Sequence, residues 1–143
     1  MNLNELQDKW AKDCVINDDL GAAAIYTPML HSFYLNELVT AKLKLTKTQH
    51  EMAELSAAKS KYFRGEMNQM ELEERGWKQW QHRTLKSDIE GMIEADSECQ
   101  KILAREGYMK TMIYFLESVL GELKNRNWNI RAALDWQKWR SGA

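Results

Sequence analysis

Cationic and aromatic side chains are interleaved in two stretches of this 143-residue sequence. Residues 59–64 contain three cations beside a tyrosine and a phenylalanine, and residues 77–86 contain three cations and a histidine beside two tryptophans. Single-stranded nucleic acid is bound by this combination, because cations neutralise phosphates while aromatic rings stack on unpaired bases. The candidate binding residues are Lys59, Lys61, Tyr62, Phe63, Arg64, Lys78, His82, Arg83 and Lys86, with Trp77 and Trp80 as further stacking candidates.

The overall charge is nearly balanced, with 20 Lys and Arg residues against 21 Asp and Glu residues, which argues against binding of nucleic acid through bulk charge. The cations are concentrated, however: residues 42–64 contain six bases and two acids, and residues 77–87 contain three bases and no acid. A block of like charge is often only the solvated face of a helix, and aromatic residues often belong to the core. That interpretation is favoured for either stretch alone, whereas the two together make a binding surface an equal alternative.

No catalytic set can be assembled from the sequence. The three histidines are scattered, and there is no phosphate-binding glycine loop and no nucleophile motif. We therefore expect a non-catalytic protein without a metal or cofactor. A weaker alternative is a Mg²⁺ site in a small nuclease, although a solvated acidic face is the commoner meaning of such a cluster. The carboxylates concerned are Asp88, Glu90, Glu94 and Asp96.

One proline and seven glycines are few of the turn-forming residues that a fold of several β-strands needs, so we expect an all-α protein. Leu3, Leu6 and Trp10 predict a first helix over residues 3–13. A long helix follows, for which Thr27 and Pro28 predict an N-cap and a first helical position. Alternatively, Asp18 or Asp19 begins this helix earlier and Pro28 kinks it.

The long helix carries a heptad pattern, which requires a parallel or antiparallel partner helix. The pattern turns polar at Lys59 and Tyr62, and Gly65 is the predicted stop. Gly76 is expected to end a short acidic helix, and residues 77–83 to form an ordered loop or a short extended segment. The seam positions are Tyr34, Leu38, Ala41, Leu45, Thr48, Met52 and Leu55.

Ser87 and Glu90 fit a capping box that begins another helix, whose apolar face continues to Leu103. Whether Gly107 breaks that helix is left open, and residues 125–127 (Asn-Arg-Asn) predict a turn before a final helix. We expect a single all-helical domain over residues 1–143 with a long helical hairpin. Residues 56–86 would bind DNA, and helices within 88–140 would serve packing and assembly.

Cys14 and Cys99 have no metal-type spacing, and we expect both to be reduced thiols. The N-terminus lacks the basic start and apolar core of a signal peptide, and no apolar run approaches the length of a membrane span. These features predict a soluble intracellular protein that does not insert into a membrane.

The sequence also resembles the UvsY family, the recombination mediators of T4-like bacteriophages, in the order and spacing of residues over essentially its whole length. At the N-terminus the resemblance lies in Leu3, Leu6, Gln7, Lys12, Asp13, Val15, Ile16 and Leu20. At the C-terminus it lies in Leu123, Lys124, Arg126, Trp128, Ile130, Arg131, Trp139 and Gly142.

The resemblance implies a ring-like homo-oligomer of six or seven subunits that binds single-stranded DNA in the cytoplasm of the infected bacterial host. It also implies two protein partners, a RecA-like phage recombinase that is loaded and a phage single-strand-binding protein that is displaced. Residues 56–65 resemble the family's DNA-binding segment: Lys59 matches an arginine, and Tyr62-Phe63 match an aromatic pair. Ala57 replaces a lysine of the family, and Lys61 and Arg64 supply charge nearby. The alternative function is a helical scaffold that binds only protein partners.

Overall fold

The computed structural model describes residues 1–142, in which five helices and no strand occur, so the predicted all-α class is confirmed. By their contacts the residues form two compact units: Met1–Leu43 with Met109–Ala143, and Lys44–Tyr108. Two helices of 44 residues each contribute to both units. The helices are α1 (Leu3–Asp13), α2 (Leu20–Phe63), α3 (Gln69–Arg75), α4 (Ile89–Ala95) and α5 (Ser97–Arg140).

Helix α1 occupies the predicted range. The Asn2 side chain accepts a hydrogen bond from the Glu5 backbone N–H at 2.8 Å, and the Glu5 carboxylate accepts one from the Asn2 N–H at 2.9 Å. This reciprocal capping box satisfies two of the backbone donors that a helix start leaves free. Leu6 is fully buried on the apolar face.

Helix α2 begins at the earlier of the two predicted starts. The Asp19 carboxylate accepts a hydrogen bond from the Ala22 N–H at 3.1 Å, and Pro28 lies inside the helix. The prediction that Thr27 is the N-cap is therefore wrong. The Thr27 hydroxyl is buried and lies 3.0 Å from Asn127 Oδ1, so it serves contacts with another helix instead of capping its own.

The predicted seam of α2 is confirmed, and its partner is α5. Tyr34, Leu38 and Ala41 are buried in the first unit, and Thr48 and Leu55 are buried in the second. Within each unit, residues of increasing number on α2 face residues of decreasing number on α5. The two helix segments therefore pair in an antiparallel direction. The polar contacts that show this order are Thr27–Asn127 and Lys42–Glu117 in the first unit, and Gln49–Glu106, Glu51–Arg105 and Lys59–Glu98 in the second.

Helix α5 continues through Gly107 and through the turn predicted at residues 125–127, which is therefore wrong. Arg126 is buried there; its Nε donates to Thr27 Oγ1 and its Nη1 to the Asp13 carbonyl, both at 3.1 Å. A polar triplet that is typical of a turn in sequence thus supplies hydrogen bonds to α1 and α2. None of the helices within residues 1–142 is both long and apolar enough to cross a membrane.

The Thr27 hydroxyl contacts the Ala23 carbonyl as well as Arg126 and Asn127, so we expect Thr27→Val to lower the free energy of unfolding by about 1–3 kcal/mol. The isosteric valine leaves the buried Arg126 Nε without its acceptor and the exposed Asn127 Oδ1 without its donor. Urea denaturation followed by circular dichroism measures the change at a fixed protein concentration. Thr40→Val, at an exposed position of the same helix, is the matched control. Equal stabilities of the two variants would contradict the assigned role.

Candidate nucleic-acid interface

The end of α2 places the first basic and aromatic stretch at a sharp reversal of the chain. Gly65 has a φ of +73°, its N–H donates to the Tyr62 carbonyl at 3.0 Å, and the Glu66 N–H donates to the Lys61 carbonyl at 3.1 Å. These two bonds form a Schellman motif, which favours glycine because its backbone is left-handed. The predicted stop at Gly65 is confirmed, and residues 59–64 lie in the last turns of the helix.

The short helix α3 returns toward α2 and ends as predicted. Its N-cap Asn68 accepts a hydrogen bond from the Glu71 N–H at 2.9 Å, and Gly76 has a φ of +69° at the other end. The Lys61 ammonium contacts the Glu71 carboxylate at 2.7 Å, which joins α3 to the last turn of α2. Lys61 is therefore a half-exposed cation that is partly neutralised.

Residues 77–86 form no helix or strand, in agreement with the ordered loop or short extended segment predicted for 77–83. Five rings link this loop to the end of α2, and we call them the aromatic cluster: Tyr62, Phe63, Trp77, Trp80 and His82. The Tyr62 ring lies 5.1 Å from Trp77 and 5.6 Å from Trp80 between centroids. Phe63 lies 5.0 Å from Trp80, which lies 4.9 Å from His82. Tilted and edge-on ring pairs at these distances stabilise the contact beyond burial alone.

Two polar contacts add to the aromatic cluster. The Tyr62 hydroxyl donates to the Lys78 carbonyl, and Trp80 Nε1 donates to Thr84 Oγ1 at 3.0 Å. Phe63 is buried, whereas Tyr62, Trp77 and Trp80 are partly exposed and His82 is exposed. The rings therefore attach the loop to α2 while leaving part of their own surface open to solvent.

Lys59 differs from the other candidate cations because it is buried. Only 6% of its side chain is exposed, and its ammonium lies 3.1 Å from an Asp96 oxygen and 3.3 Å from a Glu98 oxygen. The ammonium also lies 4.0 Å from the centroid of the Trp77 ring, which is a close cation–π contact. A cation in these surroundings does not present its charge to solvent.

The helices next to this buried cation differ from the predicted ones in their start and in their length. Helix α4 begins at Ile89 without a side-chain cap, so the capping box of Ser87 and Glu90 is wrong. The single helix expected to continue past Asp96 is interrupted there, because Asp96 is extended with a ψ of 133°. Its carboxylate accepts hydrogen bonds from the Glu98 and Cys99 N–H groups, both at 3.1 Å, and so caps α5. The sequence Asp96-Ser97-Glu98 is typical of a helix N-cap. The prediction missed this helix start because the apolar periodicity continues across it.

The surroundings of Asp96 change two pKa values. Burial raises the pKa of Asp96, but the hydrogen bond from the Cys99 N–H and the Lys59 ammonium outweigh it and hold the pKa below its ordinary value of 3.8. Burial raises the pKa of the Cys99 thiol, and the adjacent Asp96 carboxylate raises it further. The Asp96 carboxylate is thus held in its charged form, and the Cys99 thiol in its neutral form.

The remaining candidate cations are exposed. Arg64 lies 3.6 Å from Glu66 in an ion pair that is open to solvent, and such a pair contributes little to stability. Lys78, Arg83 and Lys86 form no ion pair with a carboxylate in the part of the chain that the structure describes. Together with His82, these four cations make up what we call the basic loop surface.

Arg64 and Lys86 of the basic loop surface line one open groove of about 800 Å³. Small residues of α2 and apolar residues of α4 and α5 form much of its lining, and Glu90 and Glu94 also reach it. The two cations are 22 positions apart in sequence, and the fold places both on one concave surface. The small and apolar residues are Ala53, Ser56, Ala57, Ser60, Ile89, Ile93 and Leu103.

The carboxylates considered for Mg²⁺ form no metal-type group: within residues 1–142 no three His, Cys, Asp or Glu side chains are arranged to hold an ion. Cys14 is an exposed free thiol and Cys99 a buried one.

A family model described as "Recombination, repair and ssDNA binding protein UvsY" matches residues 9–143. The chain belongs to the UvsY family. The family resemblance noted in the sequence is therefore confirmed. A comparison with curated protein sequences gave no match.

Solved structures of the recombination mediator UvsY of bacteriophage T4 have the same fold as this chain. One crystal form matches with a TM-score of 0.85 at 22% identity, covering 99% of this chain and 98% of that one. A second gives 0.85 at 21% identity, with 97% and 99% covered. A third gives 0.83 at 22% identity, with 95% and 98% covered. At this identity the likeness establishes the UvsY fold and leaves the contacts of individual residues to be derived from this chain.

The lowered pKa of Asp96 predicts a specific loss of stability in acid. Its folded-state pKa lies below the ordinary 3.8, so the carboxylate stabilises the fold above about pH 4 and loses that contribution as the pH falls through the folded-state value. Asp96→Asn should therefore be less stable than the wild type at neutral pH, with a difference that shrinks below about pH 4.

Urea denaturation at a series of pH values measures this difference. Asp88→Asn, at an exposed position before α4, is the control. A difference between the wild type and Asp96→Asn that stays constant from pH 7 to strongly acidic solution would contradict the assignment.

Proposed function

We propose that this protein is a non-catalytic recombination mediator, which binds single-stranded DNA and helps to load a RecA-like phage recombinase by displacing the phage single-strand-binding protein. One observation carries the DNA-binding part. A chain of the UvsY family exposes three cations without carboxylate partners on a loop that aromatic rings attach to α2. The family's description as recombination, repair and ssDNA-binding proteins supports the role.

The basic loop surface would contact the phosphates. Lys78, Arg83 and Lys86 are exposed and unpaired within the described residues, so little desolvation or rearrangement opposes a phosphate contact. Arg64 would join them from the end of α2, and Lys61 would contribute less because Glu71 already neutralises part of its charge.

The aromatic cluster would supply the stacking surface. Tyr62, Trp77, Trp80 and His82 keep part of their surface open, and base–aromatic stacking contributes about 1–3 kcal/mol per base. Phe63 is buried and would act through its packing against Trp80 rather than through a base. Partly buried rings have restricted orientations, so they would bind bases at a lower cost in entropy than mobile side chains.

Assembly would compensate for the modest charge of one protomer. We propose a ring-like homo-oligomer, hexamer or heptamer, in which several copies of the basic loop surface share one DNA strand at high effective concentration. The C-terminal part of α5 supports self-assembly. Trp128 is 71% exposed, and Trp136 and Trp139 are 57% and 72% exposed with their rings stacked. Exposed large apolar side chains that lie together, as the stacked Trp136 and Trp139 do, are typical of an interaction surface.

Trp136→Ala with Trp139→Ala should therefore lower the particle mass measured by sedimentation at micromolar protein concentration, because the exposed rings would be buried between subunits. Met70→Ala, a 70% exposed apolar residue on α3, is the control. A monomeric wild type, or an unchanged mass of the double variant, would contradict this assignment of the interface.

A scaffold that binds only proteins is the second candidate function. Exposed apolar residues on α2 favour it: Ile25 is 82% exposed, Met29 62% and Leu43 68%. The two functions differ in one measurement, because a scaffold of this kind would not bind single-stranded DNA even at low salt.

The deciding experiment is fluorescence anisotropy of a labelled single strand of about 30–40 nucleotides, titrated with protein at several salt concentrations. The mediator proposal expects tight binding that weakens as salt rises, with a log–log slope of about −0.7 per phosphate contact, and weaker binding of a duplex. If folded protein does not bind the single strand even at low salt, the scaffold function is favoured over the mediator function. Loading of a recombinase onto strands coated with single-strand-binding protein, as occurs in the cytoplasm of an infected host, is the following assay.

The triple variant Lys78→Ala, Arg83→Ala, Lys86→Ala should bind the strand about 100-fold less tightly near 0.1 M salt, because each lost phosphate contact costs about fivefold there. The salt slope should become shallower by about 2. The control removes three exposed cations outside the basic loop surface: Lys44, Lys47 and Lys101. Equal losses in the two triple variants would mean that only net charge matters and would reject this surface.

A further inference from the structure

Lys59 lies at the junction of three parts of the second unit. It belongs to the last turns of α2, its ammonium contacts Asp96 and Glu98 at the start of α5, and it lies over Trp77 at the start of the loop. The ion pair with Asp96 is the better buried one, with 6% and 14% of the two side chains exposed. One buried cation thus connects the end of α2, the beginning of α5 and the loop.

Lys59, Glu98 and Trp77 form a closed triangle of contacts. The ammonium lies 3.3 Å from Glu98 Oε1 and 4.0 Å from the centre of the Trp77 ring. Trp77 Nε1 donates a hydrogen bond of 2.9 Å to the same Glu98 oxygen. The position and the rotation of the indole are therefore both determined, by the cation against its face and by the carboxylate at its N–H.

The position of Trp77 affects the loop that follows it. Trp77 comes directly after the left-handed Gly76, and its ring contacts Tyr62, which in turn contacts Trp80. The cations Lys78, Arg83 and Lys86 are spaced along the segment that begins at this tryptophan. The contacts that fix the position of Trp77 therefore also fix the start of the segment that carries Lys78, Arg83 and Lys86.

Local charge argues against direct contact between Lys59 and DNA. Two carboxylates lie within 3.3 Å of its ammonium, so the group as a whole is negative and would repel a phosphate. Exposing the ammonium would also leave the largely buried Asp96 carboxylate without its partner, which is costly for a buried charge.

We propose that Lys59, together with Glu98, is a positioning residue, which orders residues 77–86 and thereby shapes the basic loop surface, and that it makes no phosphate contact. The consequence for DNA rests on the proposed function. The ordering of the loop does not, and it can be measured without DNA.

The Glu98→Ala variant distinguishes a positioning role of Lys59 from direct phosphate contact, because the two roles predict opposite changes in DNA affinity. If Lys59 contacted phosphates, removing an acid beside it would free its charge and tighten binding. As a positioning pair, the loss of Glu98 should instead loosen Trp77 and weaken binding of the labelled single strand by about tenfold, because the loop must then be ordered on binding. Glu122→Ala, which removes an exposed acid of α5 outside the groove, is the matched control and should leave binding unchanged or slightly tighter.

Limited trypsin digestion without DNA gives the second measurement, since Lys78, Arg83 and Lys86 are cleavage sites within the loop. Glu98→Ala should be cut there several-fold faster than the wild type and Glu122→Ala, with circular dichroism showing that the helices remain. Trp77→Phe, which keeps a ring but removes the N–H, should accelerate cleavage in the same way. Lys59→Arg should preserve both cleavage rate and affinity, whereas Lys59→Met should not.

The proposal is overturned if Glu98→Ala binds DNA at least as tightly as Glu122→Ala, or if Glu98→Ala and Trp77→Phe are cut in the loop no faster than the wild type. It is also overturned if Lys59→Met changes the salt slope by one phosphate contact without affecting cleavage. Wild-type protein that does not bind DNA would contradict the proposed function alone, and the cleavage rates would still decide whether Lys59 and Glu98 order the loop.

Discussion

The seam along α2 is the constraint on which the rest of this structure depends. Its residues recur at alternating steps of four and three, and all are buried except the half-buried Leu45 and Met52, along an antiparallel stretch of α5 within each unit. Because the helix continues regularly to Phe63, the next seam positions, Lys59 and Tyr62, face the same side as the apolar ones. The seam thus directs a cation and a ring into positions where aliphatic residues would otherwise pack, and the site is built around them.

A buried cation has to be neutralised, and this requirement explains the irregular part of the fold. Asp96 interrupts what periodicity predicts as one helix, caps α5 with its carboxylate and pairs with Lys59. Glu98 completes the pairing and holds the Trp77 indole. Removing one partner of a buried pair such as Lys59–Asp96 typically costs about 3–5 kcal/mol, so the break between α4 and α5 and the path of the loop are maintained together. The cations left for a ligand are those that this arrangement does not use.

Prediction from the sequence succeeded where a local cause acts alone. The range of α1, the seam from Tyr34 to Leu55 and the stops at Gly65 and Gly76 follow from apolar periodicity or from the left-handed backbone that glycine accepts. It failed where a distant residue supplies the partner. Thr27 and residues 125–127 resemble a cap and a turn, but the buried Arg126 donates to Thr27 across 99 positions of sequence. Ser87 resembles an N-cap, and Asp96 is the residue that caps.

The sequence by itself determined the all-α class, the seam, the family and the two stretches in which cations alternate with rings, because each of these depends on residue types at short spacing. Only the tertiary structure distinguished the cations from one another. Lys59 lies in the last turns of α2 and Arg64 directly follows the helix, yet one is buried between two carboxylates and the other lines an open groove with Lys86. Burial and pairing depend on residues such as Asp96, 37 positions beyond Lys59, and no local pattern encodes such a contact.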